Sequence, residues 1–264
     1  MENEILIRLA AFIGLFAVFA VIEAWLPRRQ RVQSRPKRWL ANWGLVLLDS
    51  ASLQLMARLL PLLAVGAAHD AAEMGWGLFN QLGWPGWLEV LLAVLVLDLA
   101  IWAQHLITHK IPLLWRFHRV HHADRDFDVT TALRFHPVEI LFSMLLKIGL
   151  VYLLGPAVLA VILFEIILNG TAMFNHANIR LPLALDRVLR LVLVTPDMHR
   201  VHHSTYRAEH DSNYGFSLSI WDRIFHTYVA QPKDGHEGMT IGLQWQDERP
   251  ARLGWSLALP FFRK

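Results

Sequence analysis

Fourteen histidines stand in a chain without cysteine, and twelve of them fall between His105 and His226. Eight repeat one kind of spacing: His105-x-x-x-His109, His118-x-x-His121-His122 and His199-x-x-His202-His203. Residues three or four apart share one face of an α-helix, so each box would present its imidazoles together. Ahead of the third box, Thr195 can cap a helix, Pro196 suits its first turn and Asp197 favours its N-terminal dipole. A lone histidine is more often a hydrogen-bonded or partly exposed residue than a ligand. Repetition argues otherwise, because neutral imidazole is the commonest metal ligand and crowded imidazolium ions would repel one another. Eight ligands are too many for one ion. With no cysteine, disulfides, iron–sulfur clusters and thiolate zinc sites are excluded, and any metal must be held by nitrogen or oxygen.

Further segments accompany the boxes: Thr131-Ala-Leu-Arg-Phe-His136-Pro137, Asn175-His176-Ala-Asn178, Asn213-Tyr214-Gly215 and Trp221-Asp222-Arg223. Together they resemble the membrane-bound fatty acid hydroxylase and sterol desaturase superfamily, over residues 98–227, roughly half the chain. The resemblance implies a non-haem di-iron centre that uses dioxygen on lipid or sterol-like substrates. It also adds His136 and His176 to the eight box histidines as expected metal ligands. Leu106, where the family often has arginine, and His226, where it often has glycine, depart from the pattern.

The elements that must position these residues are helical and membrane-embedded. Of the 264 residues 55% are apolar and 18% charged, which points to an all-α integral membrane protein of one domain with about four transmembrane helices. The expected embedded segments are 5–26, 42–67, 88–109 and a hairpin, 138–173, broken at Gly155-Pro156. Residues 110–136 and 174–264 should form a histidine-rich helical cap. Between Pro27 and Arg38 lie six basic residues and no acid, which by the positive-inside rule places this loop, and the cap, on the cytoplasmic side. If the protein is bacterial, that is the inner membrane. The first segment is too long for a typical signal-peptide core. Asp49 and Arg58 lie inside the second, where buried charge must face protein, water or each other. Residues 181–194 should form an interfacial amphipathic helix, and Trp255 to Phe262, too short to span, should attach to the membrane surface. The net charge of +3 reflects basic residues at membrane edges rather than a nucleic-acid surface.

Asp98 precedes His105 by seven residues and His109 by eleven, so all three fall on one helical stripe. It could hydrogen-bond a ligand imidazole, or it could partner an arginine such as Arg119 or Arg134. His136 precedes Pro137, which keeps it out of helical geometry at the start of a helix.

The resulting site is nitrogen-rich and carboxylate-poor, unlike soluble di-iron bundles with their Glu-x-x-His pairs. Two iron ions with four or five imidazoles each would leave positions open for dioxygen. The leading expectation is an oxidoreductase that hydroxylates or desaturates an unactivated C–H bond of a bilayer lipid, with electrons from a separate protein. Zinc, which binds nitrogen sites tightly, could replace iron on purification. Two alternatives stay open. A zinc-dependent membrane hydrolase would need neither oxygen nor reductant. A metal transporter would place its ligands nearer the bilayer midplane than these boxes lie.

Overall fold

In the computed structural model, which describes residues 4–59 and 63–262, the chain is helical, and no strand occurs among the described residues. Long apolar stretches without proline give α1 (Glu4–Trp25), and a basic, more polar stretch gives α2 (Arg35–Leu59). Next come α3 (Ala64–Met74), the single turn α4 (Leu78–Gln81), α5 (Gly86–Lys110) and α6 (Pro112–His122). The hairpin is α7 (Pro137–Leu154) with α8 (Val158–His176). The remaining helices are short: α9 (Leu183–Leu189), α10 (Pro196–His202), α11 (Arg207–His210), α12 (Ile220–Ile224), α13 (Gly235–Gly238) and α14 (Leu253–Ala258).

Four helices, α1, α5, α7 and α8, are long and apolar enough to cross a membrane. At about 1.5 Å per residue the 22 residues of α1 extend about 33 Å, against about 30 Å of bilayer hydrocarbon. The chain is a multi-pass membrane protein. The expected segment 42–67 is divided between α2 and α3, and residues 60–62 lie outside the described residues. Although α2 equals α5 in length, it carries Arg35, Lys37, Arg38, Asp49 and Arg58, so its hydropathy is lower. It lies against α7, sharing a core of Leu53, Met56, Met144 and Val151.

The hairpin breaks where Gly155-Pro156 predicts. Gly155 has φ 62°, and a Cβ there would lie 2.3 Å from the Trp76 carbonyl oxygen, so both the turn and the close approach of the α3–α4 loop require glycine. Pro112 opens α6 and Thr195 caps α10, its Oγ1 accepting from the Met198 N–H at 3.3 Å.

The cap is fastened to the spans by buried polar groups. Glu23, near the C-terminal end of α1, accepts from the backbone N–H groups of Val129 (2.9 Å) and Asn178 (3.2 Å). From α2, Arg38 reaches Asp124 at 2.7 Å and Asp128 at 2.6 Å. Arg134 donates to the Val120 carbonyl, Asn42 and Ser256, joining α6, α2 and α14. Around α9 the usual arrangement is inverted: Leu183, Leu185, Val188 and Leu191 are exposed, while Asp186 and Arg190 are buried and paired. That is how a helix resting on a bilayer surface is built. The C-terminal stretch folds back on α6: Leu259 and Pro260 are buried and Arg119 donates to the carbonyls of Leu259 and Phe262, leaving Phe261 and Phe262 exposed.

Candidate metal centre

Nine of the ten expected ligands come together, in two groups. His105, His109, His118, His122 and His202 form one; His121, His176, His199 and His203 form the other. Within each group one ring nitrogen per residue lies within 4.8 Å of every other. The two His-x-x-His-His boxes are used reciprocally. On α6 the i, i+4 pair His118 and His122 faces the group of five while His121 faces the group of four. On α10 and its cap the pair His199 and His203 joins the group of four, and His202 crosses to the group of five. Each box thus straddles both groups, because the third member lies on the other side of the helical stripe.

The hydrogen bonds fix the tautomers. His105 Nδ1 donates to the Tyr214 carbonyl at 2.7 Å, His202 Nδ1 to the Ser212 carbonyl at 2.6 Å and His176 Nδ1 to the Ala172 carbonyl at 2.8 Å. His118 Nδ1 lies 2.6 Å from Glu139 Oε1. A neutral imidazole that donates through Nδ1 has a bare lone pair on Nε2. Yet His105 Nε2 stands 3.1 Å from His118 Nε2 and 3.0 Å from His202 Nε2. Lone pairs so opposed repel each other unless a cation lies between them. Two nitrogens bound at right angles to one ion, each at about 2.1 Å, are about 3.0 Å apart. The group of four repeats the spacing, with 3.1 Å from His176 to His121 and 3.2 Å to His199.

Other ring nitrogens are buried with no hydrogen-bond partner, including both of His109, His122 and His203. Buried polar atoms are rarely left so, and here they converge. Desolvation, reinforced by neighbouring imidazoles, holds His121, His122, His199, His202 and His203 well below the ordinary histidine range, and burial alone takes His118 to about 3. At neutral pH these rings are therefore uncharged and their lone pairs free for metal. The residues fit two nitrogen-bound divalent ions.

Two sequence expectations need correction. His136 joins neither group. Its Nδ1 accepts the Val138 N–H at 3.2 Å and its Nε2 lies 3.3 Å from the Leu257 carbonyl, so it caps α7 and has no nitrogen left to ligate. Asp98 meets neither a ligand ring nor Arg119 or Arg134. Its Oδ2 accepts from Trp221 Nε1 at 2.8 Å and the Leu218 N–H at 3.3 Å. It shares the stripe of His105, but seven residues separate them by about 10 Å along the axis, beyond a carboxylate's reach.

The sequence reading gave no role to Glu139 or Asp222 and overlooked His210. Glu139 orients His118. Asp222 accepts from the N–H groups of Tyr214 (2.8 Å) and Gly215 (2.9 Å), from Trp102 Nε1 (3.1 Å) and from Thr227 (2.6 Å), fixing the turn whose carbonyl holds His105. Its place in the Trp-Asp-Arg segment was the available signal. His210 packs against His109 and His122 with ring centroids 4.8 and 4.6 Å away, and forms a small outer group with His109 and Asp211. No repeat spacing marked it. His226 has φ 58°, a left-handed conformation that accounts for a preference for glycine there.

Beneath the group of five, a cavity of about 260 Å³ runs into the membrane-spanning bundle. His105 and His118 form its roof, with apolar walls from Ile101, Phe135, Leu168 and Phe216. Phe135 also stacks on His121, centroids 4.7 Å apart and planes within 5°.

Residues 90–227, just over half the chain, match the fatty acid hydroxylase family model. The chain is 26% identical to ornithine lipid hydroxylase OlsE of Rhizobium tropici over 96% of its own length and 75% of that protein's. It is 33% identical to human alkylglycerol monooxygenase over 62% of its length, spanning only 35% of that larger protein. It is 26% identical to human cholesterol 25-hydroxylase over 53% of its length and 50% of that protein's. No solved structure matches. The matched segment opens on the helix that bears His105 and His109 and closes after the third box and the Asp222 turn, so it contains all nine converging imidazoles: the chain belongs to the fatty acid hydroxylase family.

Proposed function

We propose that the protein is a membrane di-iron oxygenase that hydroxylates an unactivated C–H bond of a lipid taken from the bilayer. The observation that carries this reading is the pair of buried imidazole groups, five and four, with bare Nε2 lone pairs converging above a cavity open to the membrane bundle. His105, His109, His118, His122 and His202 would hold one ion and His121, His176, His199 and His203 the other. When bound, the two irons would supply dioxygen activation, one oxygen atom going to the substrate and the other leaving as water with two electrons and two protons from an external donor.

The chain's own residues prepare that chemistry. Carbonyls of Tyr214, Ser212 and Ala172, with the Glu139 carboxylate, lock four rings in the tautomer that points Nε2 inward. Burial keeps the cap rings neutral. Phe135, Phe216 and Leu168 exclude water from the roof of the cavity and confine the carbon that faces His105 and His118. The hydroxylase and monooxygenase names of the relatives support the reaction class. A zinc hydrolase sharing these ligands would turn over without oxygen.

The test is lipid mass spectrometry of cells with and without the protein under ¹⁸O₂, repeated with His121→Ala and His202→Ala. We expect a lipid 18 mass units heavier that either substitution abolishes, since each removes a ligand from a different ion. Unlabelled product, or turnover without oxygen, would overturn the reading.

A further inference from the structure

Asp49 carries a carboxyl group that the fold places in the membrane bundle and that the candidate metal centre does not use. It lies two helical turns beyond Asn42 on α2, is 8% exposed and lines the cavity roofed by His105 and His118. Its Oδ1 has no hydrogen-bond partner. Across the cavity wall the same is true of Glu139 Oε2, whose sister oxygen is spent on His118.

Several other polar groups of the wall have partners within the protein. Ser143 donates to Gln104 at 3.2 Å, Thr108 to the His105 carbonyl at 2.7 Å and Asn169 to the Glu165 carbonyl at 2.8 Å. Lys147, the cation on the wall, is paired with Glu165 at 3.2 Å, and Glu165 with Arg8. Among the buried atoms of the wall, those left without a partner are carboxyl oxygens, Asp49 Oδ1 and Glu139 Oε2. Such atoms are costly to bury and persist where something hydrogen-bonds to them.

Resting on the lipid-oxygenase reading above, we propose that this cavity is specific for lipids carrying a hydrogen-bond donor, a hydroxyl or N–H, beside the carbon presented to His105 and His118, with Asp49 as its acceptor. An ionised carboxylate or phosphate in the same place brings acceptor oxygens and no donor hydrogen, and is disfavoured. A bare methylene chain would leave the Asp49 oxygen unsatisfied. The volume agrees, because about 260 Å³ lies below the roughly 300–1,000 Å³ of pockets that enclose a whole drug-sized ligand. The cavity takes one segment of the lipid and leaves the rest in the bilayer.

Binding is tested without turnover, using the purified full chain in detergent and tritiated 1-hexadecanol in a scintillation proximity assay. Competitors are hexadecyl methyl ether, which has no donor, hexadecylammonium and hexadecanoate. A buried acceptor that the ether leaves unsatisfied predicts that the alcohol binds about tenfold more tightly than the ether. Asp49→Leu should erase that ratio, and Asp49→Asn should keep part of it because the amide oxygen still accepts. Tighter binding of the ammonium than of the alcohol would support the proposal and name a cationic head group; the reverse order would support it and name a neutral hydroxyl. Equal affinity for alcohol and ether in the unmodified chain, a ratio that survives Asp49→Leu, or hexadecanoate as the best competitor would each overturn it. The wild-type ratio decides the matter even if Asp49→Leu fails to fold. Because no oxygen is consumed, donor preference can fail while ¹⁸O₂ labelling succeeds, or hold while labelling fails.

Discussion

The hydrogen bond between Glu139 and His118 separates a ligand set from a collection of histidines. Three of the four fixed tautomers depend on backbone carbonyls, which no side-chain substitution removes; His118 alone leans on a carboxylate. Glu139 holds the ring with its Nε2 toward His105. Glu139→Gln keeps the size and an acceptor oxygen but replaces the carboxyl group with an amide. We expect about tenfold weaker metal retention by the group of five, measured by chelator competition, with the group of four unaffected. Equal loss from both groups would mean that Glu139 serves the fold rather than His118. None of this was legible from spacing, since Glu139 is 21 positions from His118 and meets it only because α7 packs against α6.

Helix boundaries were legible where their causes are local. Thr195-Pro196, His136-Pro137 and Gly155-Pro156 act through one or two peptide units, and each sets a boundary where the sequence predicts it. The partition of the nine imidazoles was not legible, because periodicity gives a side chain's angle around its own helix and not the partner it faces. Asp98 shows the limit: the right stripe at the wrong height. Its neighbour in space, Asp222, organises the Tyr214 turn instead, and the two positions separate local from site-directed effects. Gly155→Ala puts a Cβ against the Trp76 carbonyl at a positive φ and should lower the melting temperature, leaving two metals per chain by elemental analysis. Asp222→Ala frees the N–H groups of Tyr214 and Gly215 and so the carbonyl that holds His105. It should lower the metal content toward one per chain, with the remaining ion in the group of four. Metal loss in Gly155→Ala as well would make the centre a reporter of general stability.

At the scale of the molecule, the histidines and the basic loop share one end of the bundle. Arg28 pairs with Asp197 at 3.3 Å, two residues before the third box, and the Arg29 backbone N–H donates to Asn178 at 3.0 Å, so the loop from α1 to α2 is built into the cap. Whatever side of the membrane the six basic residues occupy, the metal centre occupies too. The opposite end carries the α3–α4 loop against Gly155 and the Glu89 carboxylate on the Ala157 N–H at 2.7 Å. For α5 to deliver His105 to the cap from that end, we expect α2 to cross as well, with Arg38 turned toward Asp124 and Asp128 and Asp49 toward the cavity. The positive-inside rule then predicts that the cap faces the cytoplasm, the side from which the proposed electron donor would approach. The absence of cysteine makes this directly measurable. Gln30 is exposed in the basic loop, and Gly83 lies in open space at the far end. In intact cells, or spheroplasts of a bacterial host, a membrane-impermeant maleimide should label Gly83→Cys and should reach Gln30→Cys only after permeabilisation. Labelling of both from one side would remove α2 from the membrane, and the reverse pattern would put the oxygenase chemistry outside.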